Sequence, residues 1–235
     1  HPQYLPEHIR GTLDYEAGKT MGRIYRVVPA NSKLQTQNPK LGEASTKELV
    51  AKLNDANGWV RTTAFRLLLE RKDKAGEQDL KRTVTFQNAF SASARVAALY
   101  LLNQTGALSE TNKNRLEAAL SDTHPGVREN AMRLAESVFA DLPKLGMETT
   151  NPLGHTLAIF HKGDPDARVR FELALALGGT KAEICILPLA ELAVRDGANR
   201  WTRAAVLSGA KEPGGTVLAS LLSLAKDVAL TGPER

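Results

Sequence analysis

Cysteine is nearly absent from this sequence, because Cys185 is the only one among 235 residues. One thiol cannot form a disulfide within the chain, and the sequence contains no CxxCH motif, no HExxH motif and no Cys/His cluster. Covalent haem attachment and a zinc site built from a local motif are therefore excluded. The apolar neighbours of Cys185 indicate a small buried hydrophobic residue.

Aromatic residues and long apolar runs are also scarce. Aromatics make up 5% of the chain, while alanine and leucine dominate its apolar positions, which favours closely packed helices over a β-sandwich. No apolar run reaches the roughly 18 residues of a membrane-spanning helix, and no signal-peptide pattern is present. The sequence begins at His1 without a methionine, so we expect a segment of a longer protein.

Charge of one sign is not concentrated in any part of the chain. The 31 basic and 26 acidic residues give a formal net charge of +5, and the two signs are interspersed. Such a mixture is typical of a solvated surface and does not favour nucleic-acid binding. We therefore expect a protein partner or an adjoining domain, with nucleic acid as the disfavoured partner.

An arginine recurs near the start of five Ala/Leu-rich stretches. The five are separated by 34, 33, 42 and 33 residues: Arg61, Arg95, Arg128, Arg170 and Arg203. A repeat of this length is typical of stacked helical hairpins, each too small to bury its own apolar face. We predict an all-α solenoid of about five to six hairpins over residues 45–235, with an insertion near residues 142–150.

Helix-start and turn signals divide this region into hairpins. Ser45 with Glu48, and Thr180 with Glu183, have the spacing of capping boxes. The predicted helix pairs cover residues 45–53 and 59–69, 78–84 and 94–102, 110–120 and 126–138, a helix from about 151 with one ending at 178, and a helix from 180 with one containing Arg203. A last apolar run over 217–228 is predicted to be the first helix of a sixth pair.

Residues 1–30 differ from the rest in being rich in Tyr, Pro and Gly. Polar and apolar residues alternate from Arg23 to Val28, as in a half-buried strand, and Pro29 closes this run. Since one strand is not stable alone, we predict an irregular or β extension that belongs to an upstream sheet. Residues 31–44 have no periodicity and are predicted to be a linker.

Aspartates precede the recurring arginines at a similar spacing. Asp55, Asp122 and Asp164 each lie six residues before a recurring arginine. Asp196 lies seven residues before Arg203. We predict that Asp55, Asp122 and Asp164 form a structural ladder with the five arginines, within and between hairpins. The alternative is that the arginines line a groove and contact phosphates. The Asp turn, the Val-Arg pair and the Ala/Leu face resemble the HEAT-repeat consensus over residues 45–228.

Basic residues outside this pattern are the candidate partner-binding surface. They lie between the first and second recurring arginines: Arg66, Arg71, Lys72, Lys74, Lys81 and Arg82. A solvated helix surface is the alternative interpretation. Trp59 and Trp201, each two residues before a recurring arginine, are interpreted as packing between hairpins.

No complete catalytic constellation can be assembled. The five histidines are dispersed, and the carboxylates are accounted for as helix caps and ladder partners, which leaves no distinctive acid–base pair. The Gly178-Gly179 and Gly214-Gly215 pairs lack the strand–loop–helix context of a phosphate loop. We therefore predict no catalytic, cofactor-binding or metal-binding residue in this segment.

Three stretches carry a more specific resemblance. Gly22-Arg-Ile-Tyr-Arg-Val27, Asn57-Gly-Trp-Val-Arg61 continuing to Arg71, and His124-Pro-Gly-Val-Arg128 continuing to Ala131 resemble the membrane-bound dehydrogenase-like proteins of planctomycetes and verrucomicrobia. In that family a sorbosone/glucose dehydrogenase-like β-propeller closes with a GRIYR-type strand and leads into HEAT repeats. A cytochrome c domain with CxxCH commonly follows.

The resemblance implies a role for each part of the chain. Residues 1–30 would be the terminal strand of the propeller, 31–44 the linker and 45–235 the HEAT solenoid. The parent would be an extracytoplasmic or periplasmic oxidoreductase with pyrroloquinoline quinone in the propeller and haem in the cytochrome. Neither cofactor site falls within these residues, so the segment is interpreted as a non-catalytic scaffold beside those two domains.

Two other classes of function stay open. One is a free-standing HEAT-repeat protein that binds nucleic acid or a protein partner. The other is a HEAT-like lyase or glycosylase, which would need a carboxylate of raised pKa in a pocket.

Overall fold

The computed structural model describes residues 2–12, 14, 17–18, 40–108, 113–140, 163–178, 183–211 and 213–231. The chain divides into two compact units, His1–Pro39 and Lys40–Arg235. In the first unit the described residues form a 3-10 turn, Pro2–Tyr4, and a short helix α1, Glu7–Arg10. The strand predicted over residues 23–28, and the predicted linker before residue 40, lie outside the described residues.

The second unit contains ten further helices in its described part. In chain order these are α2 Thr46–Lys52, α3 Gly58–Arg71, α4 Glu77–Thr85, α5 Ala92–Gln104, α6 Lys113–Leu120, α7 Pro125–Ala140, α8 Ala167–Gly178, α9 Ile186–Asp196, α10 Arg200–Gly209 and α11 Gly214–Thr231. Short 3-10 turns, Lys74–Gly76 and Glu183–Cys185, precede α4 and α9. No strand occurs in the described ranges, and the predicted all-α fold is confirmed.

The helices pack in two rows. The second helices of successive hairpins contact one another in the order α3, α5, α7, α8 and α10. Among the first helices, α2 contacts α4, α4 contacts α6, and α9 contacts α11. Among the described helices, the main contacts are thus between neighbours in the stack, which is the packing of a solenoid that the repeat spacing predicted. The first helix expected before α8 and the insertion near residues 142–150 lie outside the described part of the chain.

Ser45 begins the helical array at the predicted position. Its Oγ accepts the backbone N–H of Glu48 at 3.3 Å, while Glu48 Oε2 accepts the Ser45 N–H at 2.8 Å. This reciprocal capping box satisfies two N–H groups that the first turn cannot pair internally. The second expected capping box depends on Thr180, which lies outside the described residues. Helix α9 follows directly on the 3-10 turn Glu183–Cys185.

The end of the predicted linker belongs to the helical unit. Leu41 is only 4% exposed and joins the apolar core. Arg71, at the end of α3, donates from Nη1 to the carbonyl of Ala44 at 2.6 Å and from Nη2 to that of Gly42 at 3.0 Å. Residues 40–44 are therefore packed onto the first hairpin, because one apolar anchor and two charged hydrogen bonds hold them there.

The core is a continuous apolar layer between the two rows. Its large side chains with less than 2% exposure come from successive hairpins: Leu49, Leu53, Val84, Leu99, Leu102, Val127, Met132, Leu173, Leu177 and Leu189. Helices α8 and α10 approach closely at Gly178 of α8, where an added Cβ would lie 2.4 Å from Gly209 Cα of α10. No helix within the described residues is both long and apolar enough to cross a bilayer.

Both tryptophans lie on the surface, so the predicted packing role between hairpins is wrong. Trp59 and Trp201 are 59% and 61% exposed. Their neighbours Val60 and Thr202 take the inward positions and are 5% and 3% exposed. Since successive helix residues point in directions about 100° apart, the tryptophans face outward. The Arg200 guanidinium lies 4.2 Å from the centre of the Trp201 ring, a cation–π contact.

Candidate functional site

The five recurring arginines occupy the first turn of α3, α5, α7, α8 and α10. One edge of each guanidinium points back to the turn of its own hairpin. The Nη1 groups donate to backbone carbonyls there: Arg61 to Asp55 at 2.8 Å, Arg95 to Gln87 at 2.8 Å, Arg128 to Asp122 at 2.8 Å, Arg170 to Asp164 at 2.7 Å and Arg203 to Gly197 at 2.7 Å. These bonds satisfy turn carbonyls that have no helical partner.

The other guanidinium edge of three arginines holds the aspartate of the next hairpin. Nε and Nη2 of Arg95 donate to Asp122 at 2.7 and 2.8 Å. The same two nitrogens of Arg128 donate to Asp164 at 2.6 and 2.9 Å. Those of Arg170 donate to Asp196 at 2.6 and 2.8 Å. We call each such pair between hairpins a rung. Two parallel bonds give a rung both strength and a fixed orientation.

Two of the three rung carboxylates, those of Asp122 and Asp164, also shape their own turns. Asp122 Oδ1 accepts the backbone N–H of His124 at 2.8 Å, and Asp164 Oδ1 accepts that of Asp166 at 2.8 Å. One carboxylate thus fixes the turn of its own hairpin and binds the arginine of the hairpin before it. The turns of neighbouring hairpins are coupled through shared atoms.

The predicted pairing of each arginine with the aspartate of its own hairpin differs from the observed one in the atoms that accept the hydrogen bonds. Within a hairpin the arginine bonds to the backbone carbonyls of the turn, whereas the carboxylate bonds run between hairpins. Asp55 shows the difference, because its Oδ2 accepts Lys52 Nζ at 3.1 Å and its Oδ1 accepts the Asn57 N–H at 2.9 Å. Those bonds, with the nearby charges of Lys52 and Arg61, lower the pKa of the Asp55 carboxyl.

The rungs are shielded from water. The side chains of Arg95 and Asp122 are 5% and 0% exposed, and those of Arg170 and Asp196 are 9% and 13% exposed. The hydrogen bonds from Arg170 lower the pKa of the Asp196 carboxyl, and the bonded aspartates raise the pKa of Arg128 and Arg170. Buried charges of this kind tolerate removal of one partner poorly.

The predicted partner-binding residues do not form one free basic surface. They are distributed over α3, the following turn and α4, which belong to different rows. Lys81 pairs with Glu77 at 2.5 Å and Arg82 with Asp79 at 3.6 Å. Arg71 holds the 40–44 segment. All of the six except Lys81 are exposed; Arg66 pairs with Glu70 at 2.8 Å, and Lys72 and Lys74 lie in the turn after α3.

A second polar network runs across the row of second helices and was missed in the sequence. Tyr100 Oη donates to Asn130 Oδ1 at 3.0 Å. Arg133 Nε donates to Glu172 Oε2 at 3.3 Å, and its Nη2 makes a closer bond to Glu172 Oε1. The bond to Glu172 is the main cause of the raised pKa of Arg133. The sequence feature that could have indicated this network is the equivalent position of Tyr100 and Arg133, each five residues after a recurring arginine.

Among the described residues, every buried side-chain nitrogen or oxygen atom has a hydrogen-bond partner. Within the described residues, no group of three or more His, Cys, Asp or Glu side chains is placed to hold a metal ion. Cys185 is buried, and burial raises the pKa of its thiol to about 11. A thiol in this state is a poor nucleophile at neutral pH. The candidate functional site is therefore the ladder of recurring arginines and their partners in the turns.

The fold and the ladder define an all-helical, repeat-like protein of stacked hairpins. The chain matches no protein-family model and no curated protein.

Proposed function

We propose that this chain is a non-catalytic scaffold of HEAT-type repeats that holds neighbouring domains, or a protein partner, at a defined separation. The observation that supports this best is the set of three buried or partly buried rungs, Arg95–Asp122, Arg128–Asp164 and Arg170–Asp196. A stack held only by apolar contact can slide or bend between units. Bidentate bonds between successive turns oppose both movements.

The parent that fits this role is an extracytoplasmic, dehydrogenase-like oxidoreductase. In this proposal pyrroloquinoline quinone and haem belong to a propeller and a cytochrome domain outside these residues. The resemblance of the stretches at 22–27, 57–71 and 124–131 supports that assignment. The repeat segment would then contribute spacing and orientation between two redox domains, and no chemistry of its own.

Nucleic-acid binding gains little support from the charges. The rung arginines are largely neutralised by their aspartates, and Lys81 and Arg82 are paired on their own helix. Binding to phosphates depends on cations that exchange their counterions for the ligand, so paired arginines contribute little. A measured affinity for duplex DNA that falls steeply with added salt would restore that alternative.

Rigidity between the ends of the array is the property to test. Spin labels at Thr62→Cys and Ala204→Cys, with Cys185→Ser, report the distance between the first and fifth hairpins. Both sites are exposed in α3 and α10. We expect one narrow distribution of the distance between the two labels, which becomes wider when Arg128→Ala is added. A broad distribution in the labelled chain that keeps Arg128 would contradict a spacer role. Sequencing the reading frame on both sides tests the propeller and cytochrome assignment separately.

A further inference from the structure

A small pocket opens between the first and second hairpins, at the ends of α3 and α5 that are remote from the ladder. Its floor is formed by Leu68, Leu80 and Leu101, which are 7%, 5% and 3% exposed. Its rim includes the exposed side chains of Lys72 and Gln104. The cavity has a volume of about 20 Å³, so it admits one group of about the size of a water molecule and is too small for a cofactor. The tip of one apolar side chain fits it.

Lys72 stands at this rim with an unusual backbone conformation. It is the residue at which α3 ends, and its φ of 50° lies in the left-handed region. Glycine is the usual residue at such a helix end, because any larger residue costs free energy there. The chain therefore keeps a lysine at the rim at a conformational cost. Backbone strain of this kind clusters at positions where a residue contacts a ligand.

The two lysines beside the pocket are available to a ligand. Within the described ranges, neither Lys72 nor Lys74 takes part in an ion pair. The carboxylate between them is already engaged, since Asp73 Oδ2 accepts the Thr46 hydroxyl at 2.6 Å and Asp73 Oδ1 accepts the Ala75 N–H at 2.8 Å. Both lysine side chains are exposed. Two uncompensated cations thus flank an apolar pocket.

We propose that this pocket, with Lys72 and Lys74 at its edge, binds an acidic segment of a protein partner. One apolar side chain of the segment enters between Leu68 and Leu101, and neighbouring carboxylates pair with the two lysines. The charges attract the segment, and the leucines contribute the apolar contact that fixes its register. A nucleic acid suits the pocket less well, because no aromatic ring lines it for a base to stack on.

The inference rests on the proposed scaffold function, since it names the place at which the scaffold holds a protein partner. It does not depend on the proposed redox parent. Of the six basic residues predicted to bind a partner, it selects the two that lie beside a cavity and have no ion pair.

The probe is an acetylated and amidated pentapeptide of sequence EELEE, titrated into the full chain. Amide signals of three residues that line the pocket, Leu69, Lys72 and Thr105, are followed by NMR. We expect saturable shifts with a Kd of about 1 mM, and binding at least about tenfold weaker for the matched peptides QQLQQ and EEAEE. Absence of shifts with EELEE up to about 10 mM, or equal shifts with QQLQQ, would overturn the proposal.

Substitutions of the lysines separate binding from folding. Lys72→Gly relieves the left-handed backbone, so we expect it to melt at a higher temperature and yet to bind EELEE about twofold to fivefold more weakly. Lys72→Glu combined with Lys74→Glu should weaken binding by about tenfold or more. The matched control is Lys211→Glu, an exposed lysine after α10, which should leave the affinity unchanged. An unchanged affinity in the doubly reversed chain contradicts the proposal.

Two further outcomes assign the result. A thymidine oligonucleotide that binds when EELEE does not, and loses its binding in the doubly reversed chain, would give the surface to nucleic acid and overturn the proposal. A chain that keeps a narrow distribution of the label distance but fails to bind EELEE would overturn this inference and leave the spacer role in place.

Discussion

Arg128 of the third hairpin holds both carboxylate oxygens of Asp164 in the fourth, at 2.6 and 2.9 Å. Asp164 lies 36 residues after Arg128, within the longest interval between recurring arginines, yet the distances of this pair match those of Arg170 with Asp196. The extra residues between the third and fourth hairpins therefore leave the spacing of the turns unchanged. The stacked turns, and not the length of the connection, set the register of the array.

Removing Arg128 tests whether this rung stabilises the fold. Arg128→Ala leaves Asp164, whose side chain is 5% exposed, without its cation, and leaves the Asp122 carbonyl without a donor. We expect the free energy of unfolding to fall by about 1–3 kcal/mol, measured by urea denaturation. Arg66→Ala is the control, since its exposed pair with Glu70 is expected to contribute less than about 1 kcal/mol. An unchanged midpoint for Arg128→Ala would sink the ladder interpretation.

The contact of Gly178 with Gly209 predicts a strong penalty for one added methyl group. A Cβ on Gly209 would lie 2.7 Å from Gly178 Cα, and backbone cannot move aside as a flexible side chain can. We expect Gly178→Ala and Gly209→Ala each to cost about 1–3 kcal/mol of stability, measured by thermal or urea denaturation.

Gly215 is the matched control for these glycines. It lies in helix α11, and no atom would stand within 4 Å of an added Cβ. Gly215→Ala is expected to leave stability unchanged or raise it by up to about 1 kcal/mol, because alanine restricts the unfolded chain. Equal effects at Gly178 and Gly215 would show that the close helix approach is not required.

Acid should weaken the last rung through Asp196. The Arg170 guanidinium holds the pKa of this carboxyl below its usual value of about 3.9. The rung therefore stabilises the fold above that value, and its contribution is lost as the pH falls through the lowered pKa.

Asp196→Asn separates this contribution from general acid effects. We expect the Asp196→Asn variant to have a lower denaturation midpoint than the unsubstituted chain at neutral pH. The difference between the two midpoints should become smaller below about pH 4. Glu43→Gln serves as the control, because the Glu43 side chain is 77% exposed and its ion-pair partner within the described part of the chain is Lys40 at 3.7 Å. A difference that stays constant from pH 7 to about pH 3 would contradict the assignment.

The exposed tryptophans predict an unusual fluorescence response. Since Trp59 and Trp201 are both more than half exposed, native emission should lie at long wavelength and be quenched by iodide. Unfolding should shift the emission maximum only slightly. Trp59→Phe and Trp201→Phe would assign the two signals, and a large red shift on unfolding would show that the rings are buried in solution.

Local signals in the sequence were sufficient for the repeat pattern. The spacing of the five arginines predicted stacked hairpins, and Ser45 with Glu48 marked the start of the array at the residue where the structure has it. These features depend on helix periodicity and capping, which act over a few residues. The outward orientation of Trp59 and Trp201 could not be predicted in this way, because which side of a helix is covered depends on its neighbour.

The amino-acid sequence by itself determined that this protein is helical, that its units repeat, and which residues recur in each unit. Only the tertiary structure decided which recurring groups meet. It placed each rung aspartate on the arginine of the preceding hairpin, brought Gly178 onto Gly209, and left Arg203 and Leu207 uncovered. The physical reason is that the repeat pattern gives the residue types present in every hairpin, whereas the stacking of the hairpins determines which of those residues come into contact.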